Sequence, residues 1–138
     1  VICFFDTSFV TKLYTFERGS AEALELAGRI AGDAAVSTLT DVEMASSLFR
    51  QRPPAQAAEI YSNYWRNRRE GMYQELHLDD AVMIRALQLA EAGLRLKSLD
   101  NIQLATALHY GASAMAVYDG ELRIAAETMG LKVWPERS

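Results

Sequence analysis

The chain holds one cysteine, three prolines and two histidines in 138 residues, and no apolar run in it approaches the roughly 20 residues a membrane-spanning helix needs. A lone cysteine excludes an internal disulfide framework, and Cys3 sits in an apolar stretch where a thiol behaves as a small hydrophobe. One cysteine and two distant histidines, His77 and His109, match no zinc-ligand spacing. The opening VICFF is too short for a secretory h-region and has no basic stretch before it, so a cytoplasmic, membrane-free protein is expected. Positive charge is also scarce. Fourteen Lys and Arg against 18 Asp and Glu give a net charge of −4 and a pI near 5.2. That balance excludes a protein that holds nucleic acid by overall charge, so any such contact must be local.

What the chain does have is a globular composition, half hydrophobic and 23% charged, at a length that suits one domain spanning residues 1–138. Short apolar runs alternate with longer stretches of helical period, the pattern of an α/β fold with a parallel sheet covered by helices. Strands are expected at 1–5, 34–37, 73–77, 114–118 and 132–134. Helices are expected at 8–16, 20–31, 40–50, 54–69, 79–92, 99–110 and 119–129. Gly32, Gly93, Gly111 and Gly130 stand where helices should stop, and Pro53 and Pro54 break the chain so that Pro54 opens the next helix of a hairpin. No repeat or linker divides the chain.

Asp6 ends an apolar strand in FFDTS and Asp119 ends another in AVYDG, so in a parallel sheet both emerge at the carboxyl edge, where open α/β sheets place ligands. Aspartate is also a favoured helix N-cap, and Asp6, Asp100 and Asp119 all lie at or near helix starts, so each taken singly is explained by capping. Glu43 and Asp100 change the balance, because each falls within about the first turn of a helix entered from a segment running toward the same edge. Four converging carboxylates repel one another and raise one another's pKa, and a hard cation with oxygen ligands resolves the conflict. Mg(II) or Mn(II) fits such a donor set better than zinc.

The series FFDTSFVTKLY, TDVEMASSLF, LKSLDNIQLATAL and VYDGELRIAAETMGLKV resembles the motif order of PIN domains, and within them the VapC-type toxins. The resemblance runs from Asp6 nearly to the C-terminus. It implies a three-layer α/β/α fold with a parallel sheet of about five strands and an acidic pocket for one or two divalent ions. By motif position Asp6, Glu43, Asp100 and Asp119 match the family's four acids, with Asp6 and Asp100 as direct metal ligands and Ser8 orienting Asp6. Glu43 and Asp119 are left to ligate a second ion or act through water. The implied activity is a metal-dependent ribonuclease, the toxin of a toxin–antitoxin pair, cleaving structured RNA and arresting translation. The implied partners are RNA, a VapB-like antitoxin and a second copy of the chain. Two positions depart from the pattern: Val117 stands where a threonine often precedes the fourth acid, and Asn101 where a small residue often follows the third.

Two other readings stand beside this one. A haloacid-dehalogenase-type phosphatase also ends its first strand in an aspartate, but needs a second aspartate two residues on, where this chain has Ser8. A catalytically silent binding module would keep the fold without the chemistry. YSNYWRNRRE interleaves Tyr61, Tyr64 and Trp65 with Arg66, Arg68 and Arg69, a mixture suited either to base stacking or to an amphipathic helix with buried aromatics. Lys12, Arg50, Arg52, Lys97 and Arg123 form either a basic rim or solvated helix faces. His77 and His109 are read as structural.

Overall fold

The computed structural model describes residues 1–137. Its five strands, β1 (Cys3–Phe5), β2 (Ala34–Ser37), β3 (Gln74–Leu76), β4 (Ala114–Ala116) and β5 (Lys132–Trp134), form one sheet in the order β3-β2-β1-β4-β5. Every neighbouring pair is parallel. Seven helices intervene among the described residues: α1 (Thr7–Tyr14), α2 (Ser20–Ile30), α3 (Thr38–Gln51), α4 (Pro54–Arg69), α5 (Asp80–Glu91), α6 (Ser98–His109) and α7 (Gly120–Thr128). This is the expected parallel α/β arrangement.

Strand alternation sorts the core into two layers, because successive side chains leave opposite faces of a sheet. Cys3, Phe5, Val36 and Ala116 pack beneath α1 to α4 with Phe9, Met44 and Tyr64. Phe4, Ala35, Met115 and Val117 pack beneath α5 to α7 with Val82, Leu104 and Leu122. Both faces are therefore covered, as an all-parallel sheet requires.

Chain order places the functional edge. From β1 the chain builds outward through β2 and β3, then returns to the other side of β1 for β4 and β5. The order of strands thus reverses between β1 and β4, and the crevice beyond the carboxyl ends of strands flanking such a reversal is where open α/β sheets bind ligands.

Several boundaries differ from those expected. β1, β3 and β4 are shorter, and α1 runs over Thr7–Tyr14, leaving Phe16 fully exposed beyond it. α3 begins at Thr38 because Ser37 and Thr40 form a reciprocal capping box. Gly111 (φ 72°) and Gly130 (φ 90°) end α6 and α7 in the left-handed conformation, whereas Gly32 lies in a 3-10 turn, Ala31–Asp33, without positive φ.

Candidate active site

Asp6 directly follows β1, and its backbone N–H donates to the Ala116 carbonyl at 2.9 Å, extending the β1–β4 ladder by one residue. Its side chain is buried and caps α1: Oδ2 accepts from the Ser8 N–H at 3.0 Å and from the Ser8 hydroxyl at 2.7 Å. The same hydroxyl accepts from the Tyr118 N–H at 2.9 Å and lies 3.4 Å from the Asp119 nitrogen. Ser8 thereby ties the β1–α1 turn to the β4–α7 turn and brings Asp6 and Asp119 to the same sheet edge. Asp119 caps α7 by accepting from the Leu122 N–H at 3.0 Å.

Capping and convergence therefore coexist at Asp6 and Asp119. Asp100 is different: α6 is capped at Lys97 without a side-chain bond, so Asp100 stands in the first turn with no capping duty. Its helix follows α5 through residues 92–97, not a strand. Glu43 sits in the second turn of α3, where the Thr7 hydroxyl donates to its Oε1 at 2.8 Å.

The electrostatics show that the acids share one field. Burial pushes Asp6 up to about 6, with Glu43 adding to the rise against the hydrogen bonds from Ser8. Burial also raises Glu43, and Asp100 raises it further. Asp100 is pushed up to about 6 by burial, then by Asp6 and Asp119, with Lys97 opposing and Glu121 adding repulsion. Asp6, Glu43 and Asp100 are thus destabilised in their charged forms by burial and then by neighbouring acids, and no arginine or lysine bridges any of the four acids among the described residues.

A hard divalent cation fits this donor set, since the pocket offers carboxylate and hydroxyl oxygens and carries uncompensated negative charge. As the side chains stand, no three His, Cys, Asp or Glu groups among the described residues are arranged to hold a metal ion. The acids are neighbours in one field, not a closed cage of ligands.

Gln103 was not legible as a site residue. It is fully buried on α6, one turn beyond Asp100, and its Nε2 donates to Thr40 Oγ1 at 3.0 Å and to Glu43 Oε1 at 3.2 Å. Its Oε1 accepts from the Ser37 hydroxyl at 2.7 Å. The available signal was the spacing of Asp100 and Gln103, which puts both on one side of a helix. Glu121 was likewise missed, although as the second residue of α7 it follows Asp119 closely.

The two departures turn away from the acids. Val117 is fully buried in the core beneath α5 to α7, and Asn101 donates from Nδ2 to the Ala86 carbonyl of α5 at 2.8 Å. The basic rim is thinner than its residue count. Lys12 is bonded to Glu17 and to the Arg18 carbonyl, and Arg123 to the carbonyls of Val117 and Pro135. Arg50 and Lys97 are exposed, Arg50 lining a groove of about 410 Å³ with Thr7, Glu43 and Leu99.

The aromatic stretch of α4 divides by face. Tyr64 is fully buried and donates to Asp41, which also receives a bidentate pair from buried Arg68, both bonds 2.9 Å. Tyr61 and Trp65 stack outward, lining with Phe49 a groove of about 460 Å³. His77 is exposed beside Glu75, and His109 packs edge-on against Tyr110, so neither bonds to the acids.

The sequence profile of the PIN domain matches residues 3–127. The chain belongs to the PIN domain family. The position two residues after Asp6, where a phosphatase would need its second aspartate, holds Ser8, committed to Asp6 and to the β4–α7 turn. Solved structures share the PIN fold at low identity. A sarcin–ricin-loop-cleaving toxin, VapC20 of Mycobacterium tuberculosis, aligns at a TM-score of 0.74 and 19% identity over 89% of this chain and 94% of that one. DNA-bound VapBC of Salmonella typhimurium aligns at 0.70 and 16%, over 96% and 97%. FitAcB of Neisseria gonorrhoeae aligns at 0.69 and 18%, over 96% of each chain. No curated relative matches the chain in sequence.

Proposed function

We propose that this PIN domain is a Mg(II)- or Mn(II)-dependent ribonuclease, the toxin of a toxin–antitoxin pair, which cleaves structured RNA. The observation that carries this reading is the mutual destabilisation of Asp6, Glu43 and Asp100 at the β1–β4 switch point, beside Asp119 and without a bridging cation from the protein. Asp6 and Asp100 would hold the ion, with Glu43 and Asp119 around it. A divalent ion held there would supply Lewis-acid chemistry, polarising a phosphoryl oxygen and easing loss of a proton from the attacking water. Glu43 or Asp119 would take the proton of the attacking water as the water oxygen bonds to phosphorus and the bond from phosphorus to the leaving oxygen breaks, the leaving oxygen taking a proton from solvent, and Ser8 keeps Asp6 aimed at the pocket. The similar toxin from Mycobacterium tuberculosis is described as cleaving the sarcin–ricin loop, which supports a structured RNA as substrate here. Protein stripped with EDTA and mixed with total RNA should be inert and should produce discrete fragments when Mg(II) or Mn(II) is restored. Metal-independent fragments, or none under either condition, would sink the proposal.

The partner is a VapB-like antitoxin lying in the outward groove of the α3–α4 hairpin, where Phe49 and Trp65 are exposed. An arginine from it would neutralise the acidic pocket. The similarity to toxin–antitoxin complexes supports this choice. The isolated chain is expected to form a homodimer. Light scattering that finds only monomer at high concentration, with no small protein co-purifying from native expression, would contradict both assembly claims.

A further inference from the structure

A closed hydrogen-bond ring lies behind Glu43, built from Ser37, Thr40 and Gln103. The Ser37 hydroxyl donates to Gln103 Oε1 at 2.7 Å, so its own oxygen is left as the acceptor for the Thr40 hydroxyl at 3.3 Å. The Thr40 oxygen in turn accepts from Gln103 Nε2 at 3.0 Å. Every donor points one way around the ring, and because hydroxyls can turn the ring would close in either sense, so the contact with Glu43 is what fixes which end of the Gln103 amide is nitrogen. The remaining amide proton faces Glu43 Oε1 at 3.2 Å, and a flipped amide would set a carbonyl against that carboxylate.

Thr7, the first residue of α1, donates to that same oxygen at 2.8 Å. Both bonds fall on Oε1. No hydrogen bond among the described residues reaches Oε2, and Oε2 is not among the buried side-chain atoms lacking a partner, so it keeps access to solvent on a residue that lines the groove with Thr7. Gln103 and the ring are fully buried, whereas Thr7 is only half-buried and lines the groove beside Glu43.

We infer that Gln103 and Thr7 are positioning residues that clamp one oxygen of Glu43, so that the chain presents the other oxygen, alone and in a fixed direction, to the cation. The ring matters because it holds the buried amide in place, with its remaining N–H on the Glu43 carboxylate, which can only accept. Gln103 also rides on the helix that carries Asp100, so the clamp couples the second acid to the third across α3 and α6. This inference rests on the metal-site reading above and adds to it the residues that aim Glu43. Partners that orient a metal-binding carboxylate typically change metal affinity by about 10–100-fold when removed.

The test is Mg(II) titration by calorimetry on the wild type, Thr7→Val, Thr7→Ser, Gln103→Leu and Glu43→Gln, with melting temperatures and RNA cleavage measured in parallel. Thr7→Val should weaken Mg(II) binding roughly tenfold while melting within a few degrees of wild type, and Thr7→Ser, which keeps the hydroxyl, should recover most of the loss. Because Thr7 acts through Glu43, adding Thr7→Val to Glu43→Gln should cost nothing further, the non-additivity expected of a shared path. Gln103→Leu should show the same loss, and if its buried cavity unfolds it, Thr7→Val carries the test. Mg(II) affinity unchanged in Thr7→Val, or equal losses in Thr7→Val and Thr7→Ser, would overturn the clamp even if the wild type cleaves RNA. A wild type that binds Mg(II) with this dependence but cleaves no RNA would overturn the ribonuclease reading and leave the clamp standing. A wild type that binds no Mg(II) would overturn both.

Discussion

Changing Asp6 or Asp100 to Asn is expected to lower RNA cleavage by roughly 10³-fold, the rate equivalent of losing several kcal/mol of metal-assisted charge stabilisation, while leaving the fold intact. Asn keeps the shape of Asp and caps a helix about as well, so at Asp6 the bonds from the Ser8 N–H and hydroxyl retain an acceptor. What it removes is one negative charge from a pocket where Asp6, Glu43, Asp100 and Asp119 repel. Loss of activity should therefore come with equal or greater stability in the metal-free protein. Asp100 makes this comparison cleanest, since it caps nothing and a change there disturbs no helix end. Cleavage rates measured beside thermal melts check the opposition, and an Asn variant that cleaves at the wild-type rate would reduce the acids to helix caps.

The second large effect is on stability against pH, with and without metal. Asp6 has a pKa near 6 in the folded chain and an ordinary value of 3.8, so the folded state binds its proton more tightly than the unfolded state. Stability should then fall as pH rises through the window from about 4 to 6, the reverse of a salt-bridged carboxylate. For Asp6 alone the change between pH 5 and pH 7.5 is about 1.4 kcal/mol, roughly 5 °C in melting temperature for a chain of this size. Glu17 and Glu75 are held below the usual carboxylate value, by Lys12 and Thr15 against burial at Glu17 and mainly by Arg68 at Glu75, so the stability they contribute is lost on acidification from about their unfolded value of 4.5 downward, below the pH 5 end of this range. Mg(II) at about tenfold over its dissociation constant should return about 1.4 kcal/mol at pH 7.5 by mass action. Melts at the two pH values in EDTA, then with Mg(II), decide the matter, and Asp6→Asn should flatten both the pH slope and the metal shift. A wild type more stable at pH 7.5 than at pH 5 in EDTA would contradict the buried, uncompensated acid.

The parts of this molecule that could be read from its sequence are those written in local patterns. Short continuous apolar runs placed the five strands, helical period placed the seven helices, and the aspartates ending FFD and VYD marked the edge of the sheet because a parallel strand delivers its last residue there. What escaped depends on which way a side chain turns or on a partner far along the chain. Gln103 reads as one polar residue in an apolar helix, and its bonds span 60 to 66 residues to Glu43, Thr40 and Ser37. Val117 and Asn101 look like changes to the pocket and prove to face the core and α5. Lys12 and Arg123, candidates for a basic rim, spend their donors on the chain's own oxygens. Arg68 likewise serves half-buried Asp41, while Trp65 on the same helix, stacked on half-buried Tyr61, is exposed.

The central claim, that these acids hold a cation which cleaves RNA, is tested most directly in one assay. Wild type and Asp100→Asn are purified identically, stripped with EDTA, shown to melt cooperatively, and given the same total RNA across a Mg(II) series, with fragment ends mapped. The account predicts discrete cleavage that rises with Mg(II) for the wild type and is about 10³-fold slower for the variant. Equal cleavage by both proteins, or cleavage that does not change with Mg(II), would contradict it.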